Sequence, residues 1–122
     1  MNTLEAGKRG EEAAKNYLIQ NGFTIRDCNW RYGHKELDIL AVKNNTLHVV
    51  EVKSRSANFL VAPERSIDRQ KQRNTILAAN AYVHRFRLSY QVQLDVIIVI
   101  FNGDDAQITY IPSAFYPVAR YK

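Results

Sequence analysis

The stretch ELDILAVKNNTLHVVEVK, residues 36–53, holds Glu36 and Asp38 near one end and Glu51 and Lys53 at the other. Asn44-Asn45 lies between two apolar runs, and asparagine tolerates the positive φ that a two-residue hairpin turn needs. If Lys43 faces Thr46 across that turn, Asp38 faces Glu51 and Glu36 faces Lys53. Strand side chains alternate with period two, so these four share one face. Leu37, Ile39, Val50 and Val52 take the other, as core. Carboxylates directly opposed across two strands repel each other. A divalent cation between them relieves the repulsion, and Mg²⁺ commonly takes one or two carboxylates with waters and a substrate phosphate. Without a cation, one of the pair is expected to hold its proton to a higher pH. The Lys53 ammonium beside them suits charge developing on a phosphate. An ordinary Glu36–Lys53 ion pair beside a solvated Asp38–Glu51 pair fits the same geometry equally well and stays open.

These groups need elements to position them. Residues 3–21 read as a helix, with Thr3 as its cap and Asn21-Gly22 as its end. On it, Glu11 shares a stripe with Gly7, Ala14 and Leu18, facing inward or along the edge of the buried side. A local ion pair with Arg or Lys explains Glu11 as well. Residues 23–30 begin as a strand, followed by the basic loop RYGHK. Strands are expected at 36–43 and 46–54, then a loop at 55–65 broken by Pro63. Residues 66–88 read as a second helix, capped by Ser66, with a basic first half and an apolar second half. The non-alternating DVIIVI within 91–101 suits a strand covered on both faces. NGDD is a turn and 107–111 a last strand. The order predicts an α/β architecture, a mixed central sheet of about five strands flanked by helices.

A chain of 122 residues is expected to be a single domain over 1–122. Its hydrophobic content of 46% and charged content of 24% suit a globular protein rather than a disordered one. A net charge of +5 favours nucleic acid or another anionic partner. The single Cys28 excludes an internal disulfide and a cysteine-rich zinc site; it fits a reducing compartment and reads as a small buried apolar residue rather than a nucleophile. The polar start of the chain lacks the apolar core of a signal peptide, and no run suits a membrane span. A cytoplasmic protein with no membrane partner is therefore expected. Asn44-Asn45-Thr46 is read as a turn rather than a glycosylation site. His34, His48 and His84 show no metal-ligand spacing and receive no role.

Asp38 followed by Glu51-Val52-Lys53, with Glu11 upstream on a helix, resembles the PD-(D/E)xK nuclease signature. The segments GKRGEEAAKNYLIQNGFTI, NWRYGHKELDILA, LHVVEVKSRS, and RQKQR followed by AANAYV resemble the YraN family of bacterial proteins over nearly the whole chain. That family is similar to archaeal Holliday-junction resolvases. The resemblance implies a restriction-endonuclease-like fold, with Glu11, Asp38 and Glu51 as metal-site carboxylates and Lys53 as the catalytic lysine. It implies Mg²⁺ or Mn²⁺, a branched or flap-like DNA substrate, and a homodimer as one assembly. The chain departs from the family pattern at Lys35, where glycine is usual, and at Phe59-Leu60, where Phe-Gly is usual.

On this reading Arg26, Arg31, Lys35, Arg55, Arg69, Lys71 and Arg73 contact phosphates. Trp30 and Tyr32, set among arginines, either stack on unpaired bases or pack, and for Trp30 packing is favoured. Two other functions fit the sequence. One is a nucleic-acid-binding module of the same fold without turnover. The other is a protein-interaction subunit using Phe115, Tyr116 and Tyr121.

Overall fold

The computed structural model describes residues 3–56 and 67–116. Helix α1 (Thr3–Gln20) leads into strand β1 (Thr24–Tyr32), then β2 (Lys35–Lys43) and β3 (Thr46–Ser56). Helix α2 (Arg69–Arg85) follows, then β4 (Gln91–Asn102) and β5 (Asp105–Phe115). The five strands form one sheet in the order β1-β2-β3-β4-β5. Neighbours are antiparallel except β3 and β4, which run parallel because α2 carries the chain back between them. This is the expected α/β arrangement, consistent with the restriction-endonuclease-like fold.

The helices cover opposite faces. Ala14 and Leu18 of α1 are buried against Ile39, Ala41, Val50, Ile97 and Val99. Ala78, Ala79 and Tyr82 of α2 are buried against Leu40, Leu47, Val49, Val96 and Ile98. β4 thus contributes alternate residues to two cores, which is why DVIIVI shows no polar alternation. The deepest approach is at Gly10, where a Cβ would land on the Ser54 side chain of β3, 2.8 Å from Ser54 Cβ. Only a residue without a side chain lets α1 lie this close.

Some boundaries differ from the sequence-based expectation. β1 runs on through Arg31 and Tyr32, and the basic loop shrinks to a turn at Gly33-His34 with Gly33 at φ +62. The expected cap Ser66 lies outside the described residues; α2 is capped by Asp68, whose Oδ1 accepts from the Lys71 N–H at 2.8 Å. Both faces of the β2–β3 hairpin are core, not one. Leu37, expected beside Ile39, sits in the α2 cluster while Ile39 sits in the α1 cluster. The cause is a break opposite Asn29, a β1 residue with φ +52. The β1–β2 ladder pairs Cys28 with Ile39 and Trp30 with Leu37, and leaves Asn29 and Asp38 between them unpaired. A left-handed residue at this point turns the strand end over.

Candidate functional site

The hairpin register is as predicted. Asn44 and Asn45 both have positive φ, +51 and +61, and Lys43 pairs with Thr46. Pairing continues to Ile39 opposite Val50 and there it stops. Continued alternation would give the Val52 N–H to the backbone of Leu37. Instead Val52 N–H donates to Asp38 Oδ2 at 2.9 Å. The Asp38 carboxylate takes over a ladder bond where the two strands part, and that fixes its direction.

Asp38 and Glu51 come together at this opening. Glu51 is buried, with 8% of its surface exposed. Burial, and then the Asp38 charge beside it, push its carboxyl up to about 8. Asp38 is also raised, chiefly by burial, although the Val52 N–H and a hydrogen bond from Glu51 oppose this. Hydrogen bonding between the two raises Glu51 and lowers Asp38, so Glu51 is the one that holds a proton longer as pH rises. The third member is Lys71, whose Nζ lies 3.1 Å from Glu51 Oε2. Burial works against its ammonium, but hydrogen bonding to Glu51 and the negative charge of the pair hold its pKa above the ordinary value. Lys71 reaches the pair because it stands three residues past the Asp68 cap, on the first turn of α2.

Glu11 stands at the flank of the buried side of α1, half-exposed, as its stripe predicted. The stripe itself is Gly10, Ala14 and Leu18, with Gly7 exposed. Glu11 Oε1 accepts from Asn29 Nδ2 at 2.7 Å, so the residue that breaks the β1 ladder also orients this carboxylate. Burial raises the Glu11 pKa, the Asn29 donor lowers it, and the charges of Asp38 and Glu36 raise it further. Its field therefore overlaps theirs. Among the described residues, however, no three Asp, Glu, His or Cys side chains converge as an ion cage. The structure joins Asp38 to Glu51 and leaves Glu11 to the side.

Lys53 lies on β3 two residues from Glu51, half-buried, paired with Ile98 of β4. Glu36 is paired with Arg31 across β1–β2, and the ladder ends before it would meet Lys53. Arg31, Arg69 and Arg73 are exposed, and Lys35 and Arg55 are half-buried. Arg55 donates to the Ser54 carbonyl at 2.8 Å, and Arg73 to Gln70 Oε1 at 2.8 Å.

One polar cluster escaped sequence reasoning. Asp95, fully buried in β4, accepts from His48 Nδ1 (2.7 Å), the Tyr110 hydroxyl (2.6 Å), the Ser113 N–H (2.8 Å) and Gln93 Nε2 (2.9 Å). Burial raises its pKa, but these four donors outweigh it and leave the carboxylate below its ordinary value. It ties β3, β4 and β5 together. The signal available was an aspartate opening an otherwise apolar run, DVIIVI.

The sequence pattern of the uncharacterised protein family UPF0102 matches residues 10–99, which include Glu11, Asp38, Glu51, Lys53 and Lys71. The chain belongs to the UPF0102 family. It is 46% identical to a UPF0102 protein of Bacteroides thetaiotaomicron, covering 93% of each chain. It is 40% identical to one of Parabacteroides distasonis over 95% of this chain and 96% of the relative. A UPF0102 protein of Clostridium beijerinckii is 40% identical over 91% of this chain and 93% of its own. This is the YraN family that the sequence motifs resemble. No helix among the described residues is long and apolar enough to cross a membrane.

Proposed function

We propose that this chain is a metal-dependent endonuclease that hydrolyses phosphodiester bonds in branched or structured DNA. The observation that carries this reading is the buried Asp38–Glu51 pair at the opening of the β2–β3 hairpin. Two like charges in a buried place destabilise a fold, and proteins keep them where chemistry needs them. The first turns of α2 add support. They carry Arg69, Lys71 and Arg73, cations that suit a phosphate backbone beside the pair.

The donor set suits a hard divalent cation: two carboxylates that hold a proton in its absence, whose shell water and phosphate oxygens would complete. Bound there, Mg²⁺ or Mn²⁺ would polarise the phosphoryl group and lower the pKa of water. Asp38 and Glu51 would hold it once Glu51 gives up its proton. Lys53 would face the phosphate and offset charge developing on its oxygens. Glu11, oriented by Asn29, would accept a proton or a water at the flank. Lys71 holds the countercharge of the pair in this structure. Arg31, Lys35, Arg55, Arg69 and Arg73 would seat the backbone through phosphates, without reading sequence.

The test is cleavage of labelled four-way junction, flap, single-stranded and duplex DNA in Mg²⁺, in Mn²⁺ and in EDTA. Cutting should need metal and prefer a branched or structured DNA. Asp38→Asn and Glu51→Gln should lower the rate by more than about a hundredfold, since even an outer-shell partner costs ~10–100-fold. Normal cutting by either variant rules the site out. The engagement of Glu11 by Asn29, apart from the pair, favours a second reading: a nucleic-acid-binding module without turnover. Salt-sensitive DNA binding with no metal-dependent cutting would select it. The interaction-subunit reading loses one of its contact residues, because Phe115 is buried under α2. Tyr116 is exposed, and Tyr121 lies outside the described residues.

A further inference from the structure

Trp30 and Tyr32 stand two residues apart on β1 and so share a face. Their ring planes are parallel within 2°, with centroids 6.4 Å apart. Trp30 is braced edge-on by Tyr82 at 5.0 Å and by Phe86 at 6.5 Å, which accounts for its half-burial. Tyr32 is 49% exposed and no aromatic ring among the described residues of α2 braces it. A groove of about 670 Å³ opens between this end of β1 and the last turns of α2. Trp30, Tyr32 and Leu77 supply its apolar surface, and Arg31, His84 and Arg85 its polar one. No carboxylate lines it among the described residues.

A volume in this range suits one small planar ligand rather than a packed protein element. Parallel aromatic faces take any nucleobase, because every base has a π face. Arg85, with no carboxylate in the groove, suits a phosphate beside it. Paired bases inside a continuous duplex cannot reach such a surface. The groove also lies along the helix that carries Lys71. Leu77 and Ala81 are six and ten residues further on, about 9 and 15 Å at the helical rise. A strand with a phosphate at the carboxylate pair would reach the groove within a few nucleotides.

We infer that the Trp30–Tyr32 platform, with Arg85 beside it, is a stacking site for an unpaired nucleobase. The substrate class is then DNA with a single-stranded segment, as in a flap or an opened junction, rather than continuous duplex. This rests on the nucleic-acid reading above but not on turnover.

Trp30 is the only tryptophan, so its emission reports on the site alone. The full chain is titrated in EDTA at low salt with a single-stranded oligothymidylate, a flap and a blunt duplex. Anisotropy of the labelled DNA is followed in parallel. Single strand and flap should change Trp30 emission, and duplex should not. Tyr32→Ala should weaken single-strand and flap binding by about tenfold, the cost of losing one aromatic–base stack, and leave duplex binding unchanged. Tyr32→Phe should restore it, which separates lost stacking from a damaged fold. DNA binding that leaves Trp30 emission unchanged overturns the platform and leaves the nuclease proposal standing. An emission change without metal-dependent cutting does the reverse. Self-association abolished by Tyr32→Ala would assign the groove to a second copy of the chain and overturn the inference.

Discussion

At the scale of single residues, Asp38 and Glu51 work against the stability of the fold that holds them. Glu51 keeps its proton in the folded protein up to about pH 8, while its ordinary value is 4.5. Between those values the folded state binds more protons than the unfolded one, so stability falls as pH rises. The favourable contribution is fully present below the unfolded value and is lost as pH passes the folded one. Urea unfolding of the metal-free protein at about pH 5.5 and about pH 8.5 should show this loss, on the order of a few kcal/mol at most. Glu51→Gln should flatten the slope and unfold later than the unaltered protein at the higher pH. If the pair binds a cation, adding Mg²⁺ should stabilise the unaltered chain more at pH 8.5 than at 5.5, because only the deprotonated pair would hold it. Equal slopes for the two proteins would mean that the pair carries no such cost. Asp95 is the opposite kind of buried carboxylate. It has four donors, keeps its charge, and contributes stability that is lost only on acidification below its ordinary value.

At the scale of elements, the site depends on how closely α1 lies on β3 and on where α2 begins. Gly10 and Gly7 sit one turn apart in α1 and face different surroundings. A Cβ at Gly7 meets nothing within 4 Å, while one at Gly10 meets Ser54. Gly7→Ala should therefore stabilise by up to about 1 kcal/mol through helix propensity. Gly10→Ala gains the same propensity but must push α1 off the sheet at an overpacking cost of about 1–3 kcal/mol. Its net effect should be a loss. Urea midpoints of the two variants compare them directly, and a shift of the same sign in both would contradict the close approach. The start of α2 was misplaced in the sequence because Ser66 and Asp68 are both good caps. Which of them closes the helix decides where Lys71 points.

At the scale of the whole molecule, a net charge of +5 makes phosphate attraction a long-range property. If DNA is the partner, log affinity should fall linearly with log salt, by roughly 0.9 per phosphate neutralised on duplex. Arg69→Ala or Arg73→Ala, both on the exposed side of α2, should each shallow that slope by about one contact. Affinity independent of salt would remove nucleic acid from consideration.

The sequence by itself determined the elements and the hairpin register. Alternation, the Asn44-Asn45 turn and the apolar run of β4 are local signals, and each resolves within one or two strands. It also placed Asp38 near Glu51, because the tight turn sets the facing residues up to the last paired rung, Ile39–Val50, one position away. Only the tertiary structure decided that the ladder opens at Ile39–Val50, that Asn29 turns β1 over, and that both faces of the hairpin are covered. It alone brought Lys71 to Glu51, His48 to Asp95 and the end of α2 to Trp30. These meetings join residues 20 to about 56 positions apart in chain. No periodicity reports such separations, since they depend on which helix covers which face of the sheet.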